Sequence, residues 1–238
     1  MVFRTLFLVI LYAVMILGLI PAILVCAVLG RRDELIAAGR EAVRLSRFIL
    51  GLDLSVDGVD IVGRVGAAVF MANHISFIDG PLLITVIPRP VRAILKKSIF
   101  RIPVLGLGMR YVGFIPVDRK GTQGGRAGIA RAAALMHERG YSFLIFPEGT
   151  RSRDGVMGEF RRGGFFLALA AAAPIVPISI RGTFEIMPKG RWVPRKGRIS
   201  VVFHDPIPTA GLRSEDLEGL MDRVRNAVAE ESNGGRHA

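Results

Sequence analysis

The stretch Ala67-Ala68-Val69-Phe70-Met71-Ala72-Asn73-His74-Ile75-Ser76-Phe77-Ile78-Asp79 decides how this chain is read. Its first six residues are an unbroken apolar run, the pattern of a strand buried on both faces. A helical pattern follows over Ser76–Val86, and Ser76 can cap it. Between the two sit an imidazole and a carboxylate five positions apart. On a single helix that spacing would separate their directions by about 140°. With His74 in the turn before the helix and Asp79 in its first turns, the carboxylate can reach back to one ring nitrogen. That fixes the tautomer and leaves the other nitrogen free to accept a proton. The same short pattern also fits a structural histidine beside a helix-capping aspartate, and on these residues alone both readings stand.

A second stretch has the same form. Phe146-Pro147-Glu148-Gly149-Thr150-Arg151-Ser152 follows the apolar run Phe143–Phe146. A phosphate needs dense donors. Arg151 offers a planar fork, Gly149 lets a backbone N–H approach closely, and Thr150 adds a hydroxyl. Glu148 repels an anion, so its expected work is to position Arg119 or Arg151, or to bond an acceptor hydroxyl. Arg151 and Arg153 fit equally a solvated surface pair.

Working outward, β-branched runs alternate with helical patterns. Strands are expected at Val59–Val62, Ala67–Ala72, Ala93–Leu95, Gly113–Val117, Phe143–Phe146, Ile175–Ile180 and Ile199–Phe203. Helices are expected at Ser76–Val86, Gly124–Glu138, Gly164–Ala172 and Ser214–Glu230. The last carries Leu217, Leu220, Met221, Val224 and Val228 on one face, with Ser214 as its N-cap. The alternation gives an α/β fold with a mixed, largely parallel sheet flanked by helices. Arg181 to Gly197, rich in Gly, Pro, Lys and Arg, reads as a long surface loop. His137 reads as an exposed helix residue and His204-Asp205 as an exposed strand end.

The N-terminal stretch Thr5 to Gly30 carries no charged side chain. It is longer than the roughly 20 residues needed to cross a bilayer core, and too long for the apolar region of a signal peptide, about 7–15 residues. It therefore reads as a membrane-anchoring helical segment, either one span or a re-entrant pair of short helices around Gly18 and Pro21. Arg31, Arg32, Arg40, Arg44 and Arg47 follow it, against Arg4 before it. That bias places the bulk of the chain on the cytoplasmic face of the cell (inner) membrane. Glu34 to Leu50 reads either as a core-packing helix or as a basic helix lying on headgroups. The expected organisation is residues 1–50 as anchor and juxtamembrane helix, 51–231 as a globular domain, and 232–238 as a disordered tail.

Composition narrows the partners. Of 238 residues 51% are hydrophobic, and the formal net charge is +12. Apolar content with positive charge points to an anionic membrane surface. No zinc-finger, helix-turn-helix or aromatic RNA-binding signature points to nucleic acid. The single cysteine, Cys26, excludes an intrachain disulfide and a multi-cysteine metal site, and no metal-ligand spacing is visible.

Four ordered blocks together resemble the glycerolipid acyltransferase family, most closely its 1-acyl-sn-glycerol-3-phosphate acyltransferases. They are Asn73-His74 with Asp79; Lys96-Lys97-Ser98, Pro103, Gly106 and Gly113 to Arg119; Phe146 to Ser152; and Ala173-Pro174-Ile175-Val176-Pro177-Ile178. The resemblance covers residues 67–205. It implies transfer of a fatty acyl group from acyl-CoA or acyl carrier protein to a lysophospholipid hydroxyl, making phosphatidic acid for phospholipid biosynthesis, with no cofactor beyond that co-substrate. By this resemblance His74 deprotonates the acceptor hydroxyl and Asp79 orients His74. Arg119, Glu148, Gly149, Thr150 and Arg151 hold the acceptor phosphate. Lys96 and Lys97 are either further substrate contacts or solvated charges, and Pro177 ends or shapes a strand near the site. Arg161-Arg162-Gly163 departs from the family, where lysine often precedes the glycine. Other acceptors, such as lyso-ornithine lipid or another lysophospholipid, keep the same chemistry. A thioester hydrolase, in which the pair activates water, is a different class.

Overall fold

Val69–Ala72 forms strand β2, and all four of its residues are buried. The apolar run is explained by its neighbours: β2 is flanked on both sides by parallel strands, and helices cover both faces of the sheet. A computed structural model of the chain describes residues 2–118, 122–191 and 193–233. Its strands are β1 (Leu52–Asp57), β2, β3 (Val91–Lys96), β4 (Ile115–Val117), β5 (Ser142–Ile145), β6 (Ile175–Arg181) and β7 (Gly197–Phe203). They form one sheet of order β1-β7-β6-β2-β5-β3-β4. The five strands from β6 to β4 run parallel; β7 is antiparallel to β6, and β1 is parallel to β7.

The helices are α1 (Val2–Leu29), α2 (Arg32–Leu50), α3 (Asp79–Val86), α4 (Leu105–Tyr111), α5 (Thr122–Arg139), α6 (Gly163–Ala170), α7 (Thr183–Ile186) and α8 (Leu217–Asn233). Side chains alternate across β2. Val69 and Met71 pack with α5, α6 and α8, around Phe143, Phe165, Leu167, Leu220 and Val224. Ala68, Phe70 and Ala72 face the other way, against Leu82 and Leu83 of α3 and Ile186 of α7. Truncating a fully buried phenylalanine such as Phe70 or Phe165 would cost about 3–5 kcal/mol.

Register positions the functional ends. Val69 lies opposite Phe143 and Met71 opposite Ile145. Carrying the same offset past the strand ends brings His74 opposite Glu148. On the other side Ala72 lies opposite Ile178, so the exit of β6, Gly182-Thr183, reaches the same edge. Beyond the last paired residue the buried Asn73 side chain extends this ladder. Its Nδ2 donates to the Ile180 carbonyl (2.9 Å), and its Oδ1 accepts from the Ile180 N–H (2.8 Å). The side-chain amide supplies both the donor and the acceptor, as a further backbone peptide would.

Several expectations are corrected. Val59–Val62 is not a strand but part of a 3-10 turn, Val59–Arg64, entered through Gly58 at φ +68°. A Cβ on Gly58 would lie 2.4 Å from the Phe203 carbonyl oxygen. The strand is instead β1, whose Leu52, Leu54 and Val56 alternate with more exposed polar neighbours, as an edge strand with one covered face requires. Arg181–Gly197 is not all surface loop, because it contains α7, with Thr183 and Ile186 buried. The helix expected from Ser76 begins at Asp79, with no side-chain cap. The hydroxyl of Ser76 instead accepts from the Ile78 N–H. Ser214 likewise opens a 3-10 turn before α8, where Asp216 accepts from the Arg213 N–H (2.8 Å). Helix α8 extends to Asn233, so the expected tail begins inside it, and residues 234–238 lie outside the described residues.

Helix α1 runs without a break through Gly18 and Pro21, which sets aside the re-entrant pair; a proline removes one donor without ending the ladder on either side. Among the described residues no helix is long and apolar enough to cross a membrane. The exposed side chains described on α1 include Val14, Leu17, Leu24 and Val28. Helix α2 ends where Gly51 takes φ +64° and bonds the carbonyls of Arg47 and Phe48. Its Leu35 and Ile36 pack with Val112 and with Ala22, Ile23 and Cys26 of α1. Leu45 and Phe48 point to solvent. Arg92 of β3, buried, bonds Asp33 of α2 and lies 3.3 Å over the Tyr141 ring.

Candidate active site

The parallel strands β2, β5 and β6 end at one edge of the sheet, where ligands collect in open α/β folds. His74 arrives there from β2. Its Nδ1 lies 2.9 Å from Asp79 Oδ2. Asp79 opens α3 and is fully buried. Its Oδ2 also accepts the N–H groups of Ile75 (2.8 Å) and Ser76 (2.7 Å), and its Oδ1 accepts the Thr183 hydroxyl (2.6 Å). The turn from His74 to Ile78 thus wraps around the carboxylate, which is how a five-residue spacing brings ring and acid together. Every partner of Asp79 donates, so the His74 tautomer that fits carries its proton on Nδ1 and leaves the Nε2 lone pair open. The imidazole stacks on Phe146 at the exit of β5, with ring centroids 4.1 Å apart and planes 18° apart. It keeps an exposed edge, with 19% of the side chain open to solvent.

Glu148 makes two backbone contacts that the sequence did not reveal. It does not hold Arg151 through any described contact. Its Oε1 accepts the His74 backbone N–H at 2.7 Å and its Oε2 accepts the Gly158 N–H at 2.9 Å. The Ser152 N–H returns to the His74 carbonyl at 2.8 Å. The two motifs are therefore laced together through backbone groups. Burial raises the Glu148 carboxyl above its ordinary value, while the N–H groups of Gly158 and His74 pull it back part of the way. From α8, Arg225 donates to the Gly158 carbonyl (2.8 Å) and lies 5.5 Å over the Phe160 ring.

Beside this brace is a cleft of about 660 Å³ lined by residues between Glu148 and Arg161 and by Lys189. Its cations are Arg151, Arg153, Arg161 and Lys189, against Glu148, Asp154 and Glu159. Thr150 is exposed and Arg151 half-buried, its guanidinium 5.4 Å over the exposed Phe77 ring. Gly149 takes φ +70°, and its N–H bonds the Phe146 carbonyl. The Arg161 arm crosses directly over Gly149. The His74 ring does not itself line the cleft; it adjoins the cleft through Glu148 and Ser152.

Other anticipated residues fall elsewhere. Arg119 lies outside the described residues. Lys96 and Lys97 are exposed at the end of β3, two strands from β2, and do not line the cleft. Pro177 is buried within β6 opposite Met71, its carbonyl accepting from the His204 N–H (3.0 Å). It shapes the strand and is not among the residues lining the cleft. His204, expected at an exposed strand end, is half-buried and shares a hydrogen bond with Ser179 (2.7 Å). Thr183, Arg161 and Lys189 are the site residues to which sequence reading gave no role. Thr183 and Lys189 lay in the presumed loop, and Arg161 registered only as a departure from a lysine.

Comparison with known proteins places the chain in a family. The Acyltransferase family model matches residues 53–181. The chain is 37% identical over 166 residues to the chloroplastic 1-acyl-sn-glycerol-3-phosphate acyltransferase BAT2 of Brassica napus, covering 69% of this chain and 46% of that protein. It is 32% identical over 207 residues to 1-acyl-sn-glycerol-3-phosphate acyltransferase alpha of Ovis aries, covering 87% and 72%. The chain thus spans about half the length of the plastid relatives it matches. In fold it is similar to the crystal structure of the 1-acyl-sn-glycerophosphate acyltransferase PlsC from Thermotoga maritima. There the TM-score is 0.84 and the identity 24%, with 100% of this chain and 96% of that one covered. The family model spans more than half of the chain, and the sheep relative is 32% identical over most of both lengths, so this chain is a member of the acyltransferase family, with the His74–Asp79 pair inside the matched span.

Proposed function

We propose that the chain moves a fatty acyl group from an acyl thioester to the sn-2 hydroxyl of 1-acyl-sn-glycerol-3-phosphate, giving phosphatidic acid. The observation that carries this reading is the parallel register that joins the His74–Asp79 pair to a cationic cleft through Glu148. His74 Nε2 takes the hydroxyl proton as the oxygen attacks the thioester carbonyl. The C–S bond breaks on collapse of the tetrahedral intermediate, and the proton goes from the imidazolium to the departing sulfur. Asp79 holds the imidazole in the required tautomer. Arg151 and Thr150, with Arg161 and Lys189 alongside, hold the acceptor phosphate; Gly149, whose N–H is taken by the Phe146 carbonyl, serves by the turn that lets the Arg161 arm cross it, and the family resemblance adds Arg119 as a further phosphate contact.

The donor is acyl-CoA or acyl carrier protein. Both are anionic and are drawn by a chain of net charge +12. The step uses no further cofactor. The apolar α1 with the arginines after it anchors the chain in the cytoplasmic face of the cell membrane, on anionic lipid. Exposed valine and leucine side chains along α1 favour that placement.

The test is product analysis with a labelled acyl-CoA or acyl carrier protein and a panel of acceptors. The panel holds 1-acyl-sn-glycerol-3-phosphate, other lysophospholipids and lyso-ornithine lipid. Phosphatidic acid as the main product is expected. Preference for an acceptor without a phosphate monoester would overturn the assignment of the cleft. Fatty acid release at full rate without any acceptor would make the chain a thioester hydrolase.

A further inference from the structure

The Asp79 carboxylate is held unevenly. Oδ2 receives three donors: His74 Nδ1 and the N–H groups of Ile75 and Ser76. Oδ1 receives the Thr183 hydroxyl at 2.6 Å. Both residues are completely buried. Thr183 comes from a different part of the chain, at the start of α7, and the backbone is forced to deliver it there. The preceding Gly182 takes φ +81°, and a Cβ on it would lie 2.0 Å from the Arg198 carbonyl oxygen. The far end of α7 is tied to the same turn, since the Ser76 hydroxyl donates to the Met187 carbonyl at 2.7 Å. Two residues further on, Lys189 enters the cleft. Helix α7 therefore straps the turn carrying the dyad at two points and leads into the cationic wall.

We propose that Thr183 is a positioning residue for the acyl transfer: its hydroxyl fixes the rotation of the Asp79 carboxylate so that Oδ2 meets the His74 imidazole. Without that hydroxyl, Oδ1 is left buried without this donor. The carboxylate then turns about its last side-chain bond, or draws in water, to recover a partner. Either movement loosens the imidazole. Thr183 touches neither substrate nor the reacting atoms; it acts through Asp79. The inference rests on the reading given under Proposed function.

Thr183→Val keeps the branched shape and removes the hydroxyl, whereas Thr183→Ser keeps the hydroxyl and removes a methyl. The 238-residue chain in lipid vesicles would be assayed with acyl-CoA or acyl carrier protein and 1-acyl-sn-glycerol-3-phosphate. For Thr183→Val we expect kcat lowered roughly tenfold, the lower end of what loss of a hydrogen bond to a charged group gives, with the acceptor KM within about twofold. Thr183→Ser should stay within about threefold of wild type. In a His74→Ala background Thr183→Val should have no further effect, because the group it serves is gone. If Thr183→Val does not fold, Thr183→Ala set against Thr183→Ser makes the same comparison. Wild-type kcat in the folded variant lacking the hydroxyl, or equal loss in the serine variant, would overturn the proposal. So would an undiminished effect in the His74→Ala background. An inactive wild type would count against the proposed function instead, so the two failures are told apart.

Discussion

Glu148 Oε1 accepts the backbone N–H of His74 at 2.7 Å, so the acid of one motif is a brace under the histidine of the other. Its second oxygen braces Gly158. Both contacts are with backbone groups, and a glutamine could serve only one of them as an acceptor. Burial raises the Glu148 carboxyl above its ordinary value. The folded chain therefore holds that proton more readily than the unfolded chain. The resulting stability is complete below the ordinary glutamate range and is lost as pH rises through the raised value. The wild-type melting temperature minus that of Glu148→Gln should fall as pH rises from about 4 to 7, with the other carboxylates cancelling in the difference. Calorimetry at several pH values checks this, and a difference that grows with pH would mean that burial does not dominate at Glu148.

Asp79 accepts four donors while fully buried. Asp79→Asn places an NH2 group against at least one of them and removes the charge that orients the imidazole. Transfer should fall by about 100-fold or more, as expected when a dyad loses its orienting acid. Stability should also fall by about 1–3 kcal/mol from the buried donors left unmatched. Steady-state kinetics and denaturant melts measure both effects. A fully active Asp79→Asn would leave His74 without need of its partner.

Gly149 takes φ +70°, and a Cβ there would stand 3.0 Å from the Arg161 side chain. Gly149→Ala carries about 1–2 kcal/mol of backbone strain and pushes the Arg161 arm aside. The dyad is untouched. The expected result is an acceptor KM raised several-fold with kcat changed less, the pattern of lost uniform binding. Kinetics with varied acceptor give the answer; a pure kcat effect would place Gly149 in the chemical step.

The strands that matter most to the site were legible in the sequence because parallel central strands are apolar throughout. β2, β5 and β6 each stood out as a run, and the face of α8 carrying Leu217, Leu220, Val224 and Val228 stood out by its spacing. β1 was hidden because an edge strand alternates, and the compact run at Val59–Val62 drew the assignment instead. The residue types of the dyad were visible, yet Thr183 was not. It lies in a stretch whose glycines and prolines suggest a loop, and nothing local marks a hydroxyl that serves an acid over a hundred residues away. The work of Glu148 was unreadable for a related reason, since its partners are backbone N–H groups, which every residue but proline carries.

Membrane attachment can be separated from charge attraction with salt. If α1 inserts as proposed, anionic vesicles should retain the 238-residue chain at 1 M salt, where the screening length is only about 3 Å, because such insertion rests on apolar burial. Release at that ionic strength in a flotation assay would reduce the anchor to surface electrostatics.

Lipid analysis of wild type beside His74→Ala, with acyl-CoA or acyl carrier protein as donor and 1-acyl-sn-glycerol-3-phosphate as acceptor, tests the central claim most directly. The account predicts phosphatidic acid from the wild type and at least ~100-fold less from a folded His74→Ala variant, the lower end of a general-base contribution. Phosphatidic acid made by that variant within a few-fold of the wild-type rate would contradict it.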